Sequence, residues 1–284
     1  MELPSPIDAS AETSADSATR MLEVVDKWGL LVPERRSHVR AQPILFCKNG
    51  LMDSSAQVDP RRHSRDTWIV IPLYNEESVI GRVVAELREH FDHIVCIDDG
   101  STDDSVAEAE AAGARVLRHP VNLGQGAALQ TGFDYVGTQP GAGYIVTFDA
   151  DGQHRIEDAM LMLDLAKRDD VAIVFGSRFL DDRTNPGWVK HVVLKTAVWV
   201  TNLTTGLQLT DAHNGLRVIR TDAAARITLE QDRMAHATEI VLKLGRTGLP
   251  WREFPVELLY TDYSKSKGQS VLNSVNILVD LLVR

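Results

Sequence analysis

From Thr67 onward the chain alternates short apolar, β-branched runs with stretches of helical periodicity, and run after run breaks off into a polar turn. Trp68–Leu73 is the first such run and predicts a buried strand. After it, Val79, Ile80, Val83, Val84 and Leu87 recur at helical spacing and predict a helix over Glu77–His90. Equivalent runs predict strands at His93–Ile97, Ala114–Leu117, Tyr144–Phe148, Val171–Phe175, Leu216–Ile219 and Trp251–Leu259. Helices are predicted at Asp103–Ala112, Gln125–Val136, Ile156–Lys167, Val189–Thr204, Ala235–Arg246 and Ser270–Val283. Strands separated by single helices call for right-handed crossovers, and so for a parallel sheet covered on both faces. The predicted fold class is α/β, a mostly parallel sheet flanked by helices in a single domain over residues 66–284.

The 65 residues before it have a different character. Met1–Thr19 is rich in Ser, Ala, Pro and Asp and predicts disorder. Residues 1–26 hold six acids and one base, whereas residues 34–65 hold three acids and seven bases. Residues 1–65 are therefore expected to be a loosely attached extension, and the net charge of −10 falls on the domain. That charge argues against a nucleic-acid partner. Two distant cysteines, Cys47 and Cys96, exclude a disulfide scaffold and fit a reducing compartment. No apolar run of membrane-spanning length occurs, and the acidic N-terminus does not resemble a secretory signal. A cytoplasmic protein is expected, peripheral to the cytoplasmic face of the membrane if its substrate is a lipid.

In an open α/β sheet, ligands bind beyond the carboxyl ends of the strands. Here the first strand runs into Pro72-Leu-Tyr-Asn-Glu76 and the second into Asp98-Asp-Gly-Ser-Thr-Asp103. The third is followed by Asn122-Leu-Gly-Gln-Gly126 and the fourth by Asp149-Ala-Asp-Gly-Gln-His154. Neither a GxGxxG dinucleotide fingerprint nor a GxxxxGK[ST] phosphate loop is present. The first two turns offer carboxylates and a tyrosine, groups suited to base edges and ribose hydroxyls. Helix capping alone would account for one acid at Asp98-Asp99, not for both. Asp149 and Asp151, one residue apart at a strand end, can converge on a hard cation, Mg²⁺ or Mn²⁺, with Gln153 as a third oxygen ligand.

These motifs, in this order, resemble the family 2 glycosyltransferases of the GT-A fold over about Thr67 to Gln269. Gly176-Ser-Arg-Phe, Asp211-Ala-His-Asn-Gly-Leu-Arg217 and Tyr263-Ser-Lys-Ser-Lys-Gly-Gln-Ser270 narrow the similarity to dolichol- and polyprenyl-phosphate sugar transferases. The resemblance implies that Pro72, Tyr74, Glu76, Ile97 and Asp99 hold the nucleoside of a nucleotide-sugar. It also implies that Asp149, Asp151 and Gln153, with the Ala150 backbone, hold the metal and diphosphate. Arg178 and Arg217 would meet phosphate or acceptor, as planar guanidinium groups do well. Lys265 and Lys267 sit in a polar loop expected to close over the phosphates, although a solvated basic loop reads the same way.

The last helix carries Val271, Leu272, Val275, Leu278, Val279 and Leu282 on one stripe, suited to the sheet, to another subunit of a homo-oligomer, or to a membrane surface. A lipid acceptor would then be reached peripherally or through a small membrane partner protein. The expected reaction is an inverting transfer from a UDP- or GDP-sugar to a polyprenyl phosphate, whose anionic oxygen needs no general base. A sugar hydroxyl, in glycan elongation, would need one. Asp232, Glu230 and Glu239 are the acids at hand, without a clear Glu-Asp pair, and His236 lies among them. A nucleotidyltransferase fits less well, because the first turn lacks glycine and basic residues. A non-catalytic nucleotide-sugar-binding subunit of a membrane complex is disfavoured by the intact acids.

Overall fold

The computed structural model describes residues 65–180, 209–211, 214–231 and 235–259. The N-terminal extension, the predicted helices over 189–204 and 270–283, and the loop carrying Lys265 and Lys267 lie outside these residues.

The described elements are β1 (Thr67–Leu73), α1 (Ile80–Arg88), β2 (His93–Asp98), α2 (Ser105–Ala111), β3 (Arg115–Arg118), α3 (Gln125–Gly137), β4 (Tyr144–Thr147), α4 (Ile156–Arg168), β5 (Ile173–Ser177), β6 (Arg217–Arg220), α5 (Thr221–Ala224), α6 (Ala235–Arg246) and β7 (Trp251–Pro255). The seven strands form one sheet in the order β3-β2-β1-β4-β6-β5-β7. Alternation along β1 feeds both faces. Ile69, Ile71 and Leu73 pack with α1 and α4, whereas Val70 packs with α3. Cys96 is buried in the same way, and burial pushes its thiol up to about 12, which makes it an inert core residue. Among the described residues no helix is long and apolar enough to cross a membrane.

Three features differ from the sequence expectation. β6 runs antiparallel to both of its neighbours, β4 and β5, so a crossover-only sheet is not what forms. β5 extends two residues further than its apolar run, through Gly176 and Ser177, because β7 continues to pair with it there. β7 itself stops at Pro255 rather than Leu259. Beyond it the chain turns onto the first turn of α4, where the Glu257 amide donates to Asp158 at 2.9 Å, and onto the loop after β4, where the Leu259 amide donates to the Gln153 carbonyl at 2.8 Å.

Candidate active site

The carboxyl ends of β1, β2 and β4 share one sheet edge, and the amino end of β6 joins them because that strand is reversed. Thr147 of β4 pairs with Arg217 of β6, so Asn214-Gly215-Leu216 arrives beside the turn where β4 ends. The Thr147 hydroxyl donates to the Gly215 carbonyl at 2.6 Å and ties the two chains together.

The first two turns latch onto one another. The Asn75 amide donates to Ser101 Oγ at 3.0 Å, and Asn75 Oδ1 accepts from the Thr102 amide at 2.9 Å. The Glu76 amide donates to Ser105 Oγ at 2.7 Å. Asn75 takes a φ of 53°, a left-handed conformation that asparagine tolerates better than most residues. Tyr74 is left 47% exposed at the rim, with Pro72 and Glu76 half-buried beside it.

Asp98 and Asp99 are buried, and both organise backbone. Asp98 Oδ1 accepts from the Ser101 amide at 3.0 Å. Asp99 gathers the loop after β3: Oδ1 accepts from the Leu123 amide at 2.8 Å and Oδ2 from the Gly124 amide at 2.7 Å. His119 closes the cluster, with Nδ1 2.8 Å from Asp99 Oδ1 and Nε2 2.9 Å from Thr131 Oγ. Expected as a nucleoside contact, Asp99 has its carboxylate filled by the chain's own donors. Ile97 is fully buried in the core against α3, and Ala150 is buried in the opposite cluster. Any contact from either of these two would come through its backbone.

Asp149 stands at the centre, its side chain 32% exposed. Oδ2 is 2.9 Å from His154 Nε2, and Oδ1 is 3.4 Å from Gln125 Nε2 at the start of α3. Burial raises this carboxyl, but the His154 hydrogen bond and the fields of Arg217 and His236 prevail and hold it below the usual range. Asp151 is shifted upward by burial and then by the Asp149 charge, with Glu76 adding to the effect. One of its oxygens accepts from the Gln153 amide at 3.0 Å across Gly152, whose φ of 69° makes the turn. Gln153 takes part here through its backbone. Two carboxylates, one of them driven toward its neutral form by the other, are a donor set that a hard divalent cation would relieve. Among the described residues no third His, Cys, Asp or Glu completes a cluster. The remaining positions would fall to the Gln153 side chain, water or diphosphate oxygens.

Arg217 is buried, and desolvation brings its guanidinium down to about 10 despite Asp149 and Asp211. Arg178, just past β5, forms a bidentate pair with buried Asp211 at 2.6 and 2.9 Å. Asp211 is held in turn by Glu253 of β7, whose Oε1 accepts from the Thr210 amide at 2.8 Å, the Thr210 hydroxyl at 3.0 Å and the Asp211 amide at 3.3 Å. Burial raises the Glu253 carboxyl to about 7. Glu239 is committed elsewhere, to Lys243 at 2.8 Å and to the amides of Glu230 and Gln231. Asp232 lies outside the described residues.

His154, His119 and Glu253 were missed from sequence. His154 was visible only as the last letter of its motif, and the other two depend on partners at least 12 residues away.

The pattern described as "Glycosyl transferase family 2" matches residues 68–228. A UDP-N-acetylglucosamine–dolichyl-phosphate N-acetylglucosaminyltransferase of Methanococcus voltae is 30% identical over 243 residues, covering 76% of this chain and 94% of its own. A polyprenol monophosphomannose synthase of Mycolicibacterium smegmatis is 30% identical over 242 residues, covering 80% and 89%. Glucosyl-3-phosphoglycerate synthase of Mycobacterium tuberculosis, crystallised with Mn²⁺ and uridine-diphosphate-glucose, superposes with a TM-score of 0.57 at 19% identity, covering 77% of this chain and 78% of that one. The fold is therefore GT-A, and with the ordered turns at its carboxyl edge this chain belongs to the family 2 glycosyltransferases.

Proposed function

We propose that the protein transfers a sugar from a UDP- or GDP-sugar to a polyprenyl phosphate with inversion, assisted by Mg²⁺ or Mn²⁺. The observation that carries this reading is the turn beyond β4, where Asp149 stands beside Asp151 and in the field of buried Arg217 from the neighbouring strand β6. Relatives named for dolichyl-phosphate and polyprenol acceptors support the choice of acceptor.

Asp149 and Asp151 would hold the metal, which when bound supplies charge neutralisation for the departing diphosphate. Tyr74, exposed at the rim, is offered to the nucleoside, with Pro72 and Glu76 beside it; Asp99 serves by shaping the loop below. Arg217 keeps a fixed positive charge near the leaving phosphates, and Arg178 adds a second one braced by Asp211. A phosphate oxygen of the acceptor attacks the anomeric carbon from the face opposite the diphosphate, and the bond to the diphosphate breaks. That oxygen is already anionic, so no proton has to move. The engagement of Glu239 with Lys243 and two amides supports this, because it withdraws one of the acids a hydroxyl acceptor would use. The Lys265–Lys267 loop would close over the phosphates, and residues 1–65 would act as an appendage to a single catalytic domain.

The test is a screen of UDP- and GDP-sugars with Mn²⁺ or Mg²⁺ and a polyprenyl phosphate, following nucleoside diphosphate release and labelled lipid. Metal-dependent glycosylated lipid is the expected result. Turnover only with a saccharide acceptor would replace the lipid-phosphate reading with glycan elongation.

A further inference from the structure

We propose that His154 is the positioning residue for Asp149, its Nε2–H holding the carboxylate in the orientation in which a divalent cation is bound; this rests on the metal-site reading above. The ring is nearly sealed, with 3% of its side chain exposed, and Nε2 lies 2.9 Å from Asp149 Oδ2. Its other nitrogen settles the role. Nδ1 is buried and has no hydrogen-bond partner among the described residues, so a proton placed there would be cut off from water and unpaired. The ring therefore carries its proton on Nε2 and acts as a donor to the carboxylate. With Nε2 engaged and Nδ1 closed off, His154 is not itself a cation ligand.

The surroundings fix both members of the pair. Phe148 packs edge-on against the imidazole, centroids 5.5 Å apart at 70°. His154 also forms a backbone bridge with Leu258, and Arg155 pairs with Glu257 at 2.9 Å, so the chain leaving β7 braces this turn. On the carboxylate's other sides stand Gln125 Nε2 and the Gly215 backbone, where an added Cβ would lie 2.2 Å from Oδ2. Asp149 thus has His154 as its near donor and little room to turn away from it. Groups that orient a metal-binding side chain in this way typically matter to metal affinity by about 10- to 100-fold.

The experiment uses the full chain and two variants. His154→Phe keeps a ring against Phe148 without a donor, and His154→Gln restores an N–H of comparable reach. Mn²⁺ affinity is read from the free-ion electron paramagnetic resonance signal, alongside melting temperature and the donor KM and kcat. The expected result is Mn²⁺ binding weakened about 10- to 100-fold in the Phe variant and recovered to within about 3-fold in the Gln variant, with melting temperatures close to wild type. Nitrogen-15 spectra of metal-free wild type should report the Nε2–H tautomer. Wild-type Mn²⁺ affinity in His154→Phe, no recovery in His154→Gln, or an Nδ1–H tautomer would each overturn the proposal while leaving the metal site standing. Absence of Mn²⁺ binding by wild type would remove the metal reading and this proposal together. If the Phe variant does not fold, the Gln variant and the tautomer decide.

Discussion

Gly215 and Asp149 approach so closely that a Cβ on Gly215 would lie 2.2 Å from Oδ2 and 2.7 Å from the carboxyl carbon. Glycine is required here for space rather than for an unusual dihedral angle. β6 delivers the contact by running antiparallel to β4, with the Thr147–Gly215 hydrogen bond fixing the approach.

Gly215→Ala should therefore displace the Asp149 carboxylate or the strand entry. The expected cost is about 1–3 kcal/mol of stability from overpacking, together with weaker Mn²⁺ and donor binding. Urea denaturation and a Mn²⁺ titration would check it, and a variant that matched wild type in both would mean the corner is roomier than the backbone indicates.

Asp151→Ala tests the cation pair. In the metal-free protein it removes a charge that Asp149 opposes, so the melting temperature should hold or rise slightly. Wild type should instead gain up to about 2.7 kcal/mol at Mn²⁺ 100-fold above its Kd, a gain the variant lacks. Turnover should fall by about 100-fold or more. Differential scanning calorimetry with and without Mn²⁺ and steady-state assays give both numbers.

Asp99→Ala separates loop-building from ligand contact. It strands the amides of Leu123 and Gly124 and leaves His119 without its acceptor. A loss of about 1–3 kcal/mol is expected, with a raised donor KM as the loop before α3 loosens. If KM rose while stability stayed at the wild-type level, Asp99 would have to act on the nucleoside directly.

Glu253 predicts a pH dependence of stability. Its carboxyl is raised from 4.5 to about 7 by burial, so between those values the native state holds a proton that the unfolded state releases. Its contribution is complete below pH 4.5 and is lost as pH rises through about 7. Glu253→Gln keeps an oxygen for the Thr210 and Asp211 donors but cannot ionise. Its stability relative to wild type should increase from pH 5 to pH 8 in urea melts, and a constant difference would show that Glu253 titrates normally.

Much of this protein was legible in one dimension. The buried apolar run of β1, the helical stripe of α1 and the acid-bearing turns after β1, β2 and β4 are local patterns that short stretches of sequence carry by themselves. So Asp149, Asp151 and Tyr74 could be assigned to the carboxyl edge without coordinates. What needed the tertiary structure was everything set by pairing at a distance. Strand direction is not encoded in strand composition, so only the sheet shows β6 reversed, bringing Gly215 and Arg217 to Asp149. Nor does sequence tell whether a carboxylate faces a ligand or the backbone: Asp99 turned to the loop 20 to 25 residues away, and Glu253 to Thr210 across 43. Local pattern is set by periodicity and propensity, whereas the partner of a buried charge is chosen by whichever donors the folded chain brings within reach, because leaving it unpaired would cost more than any local preference supplies.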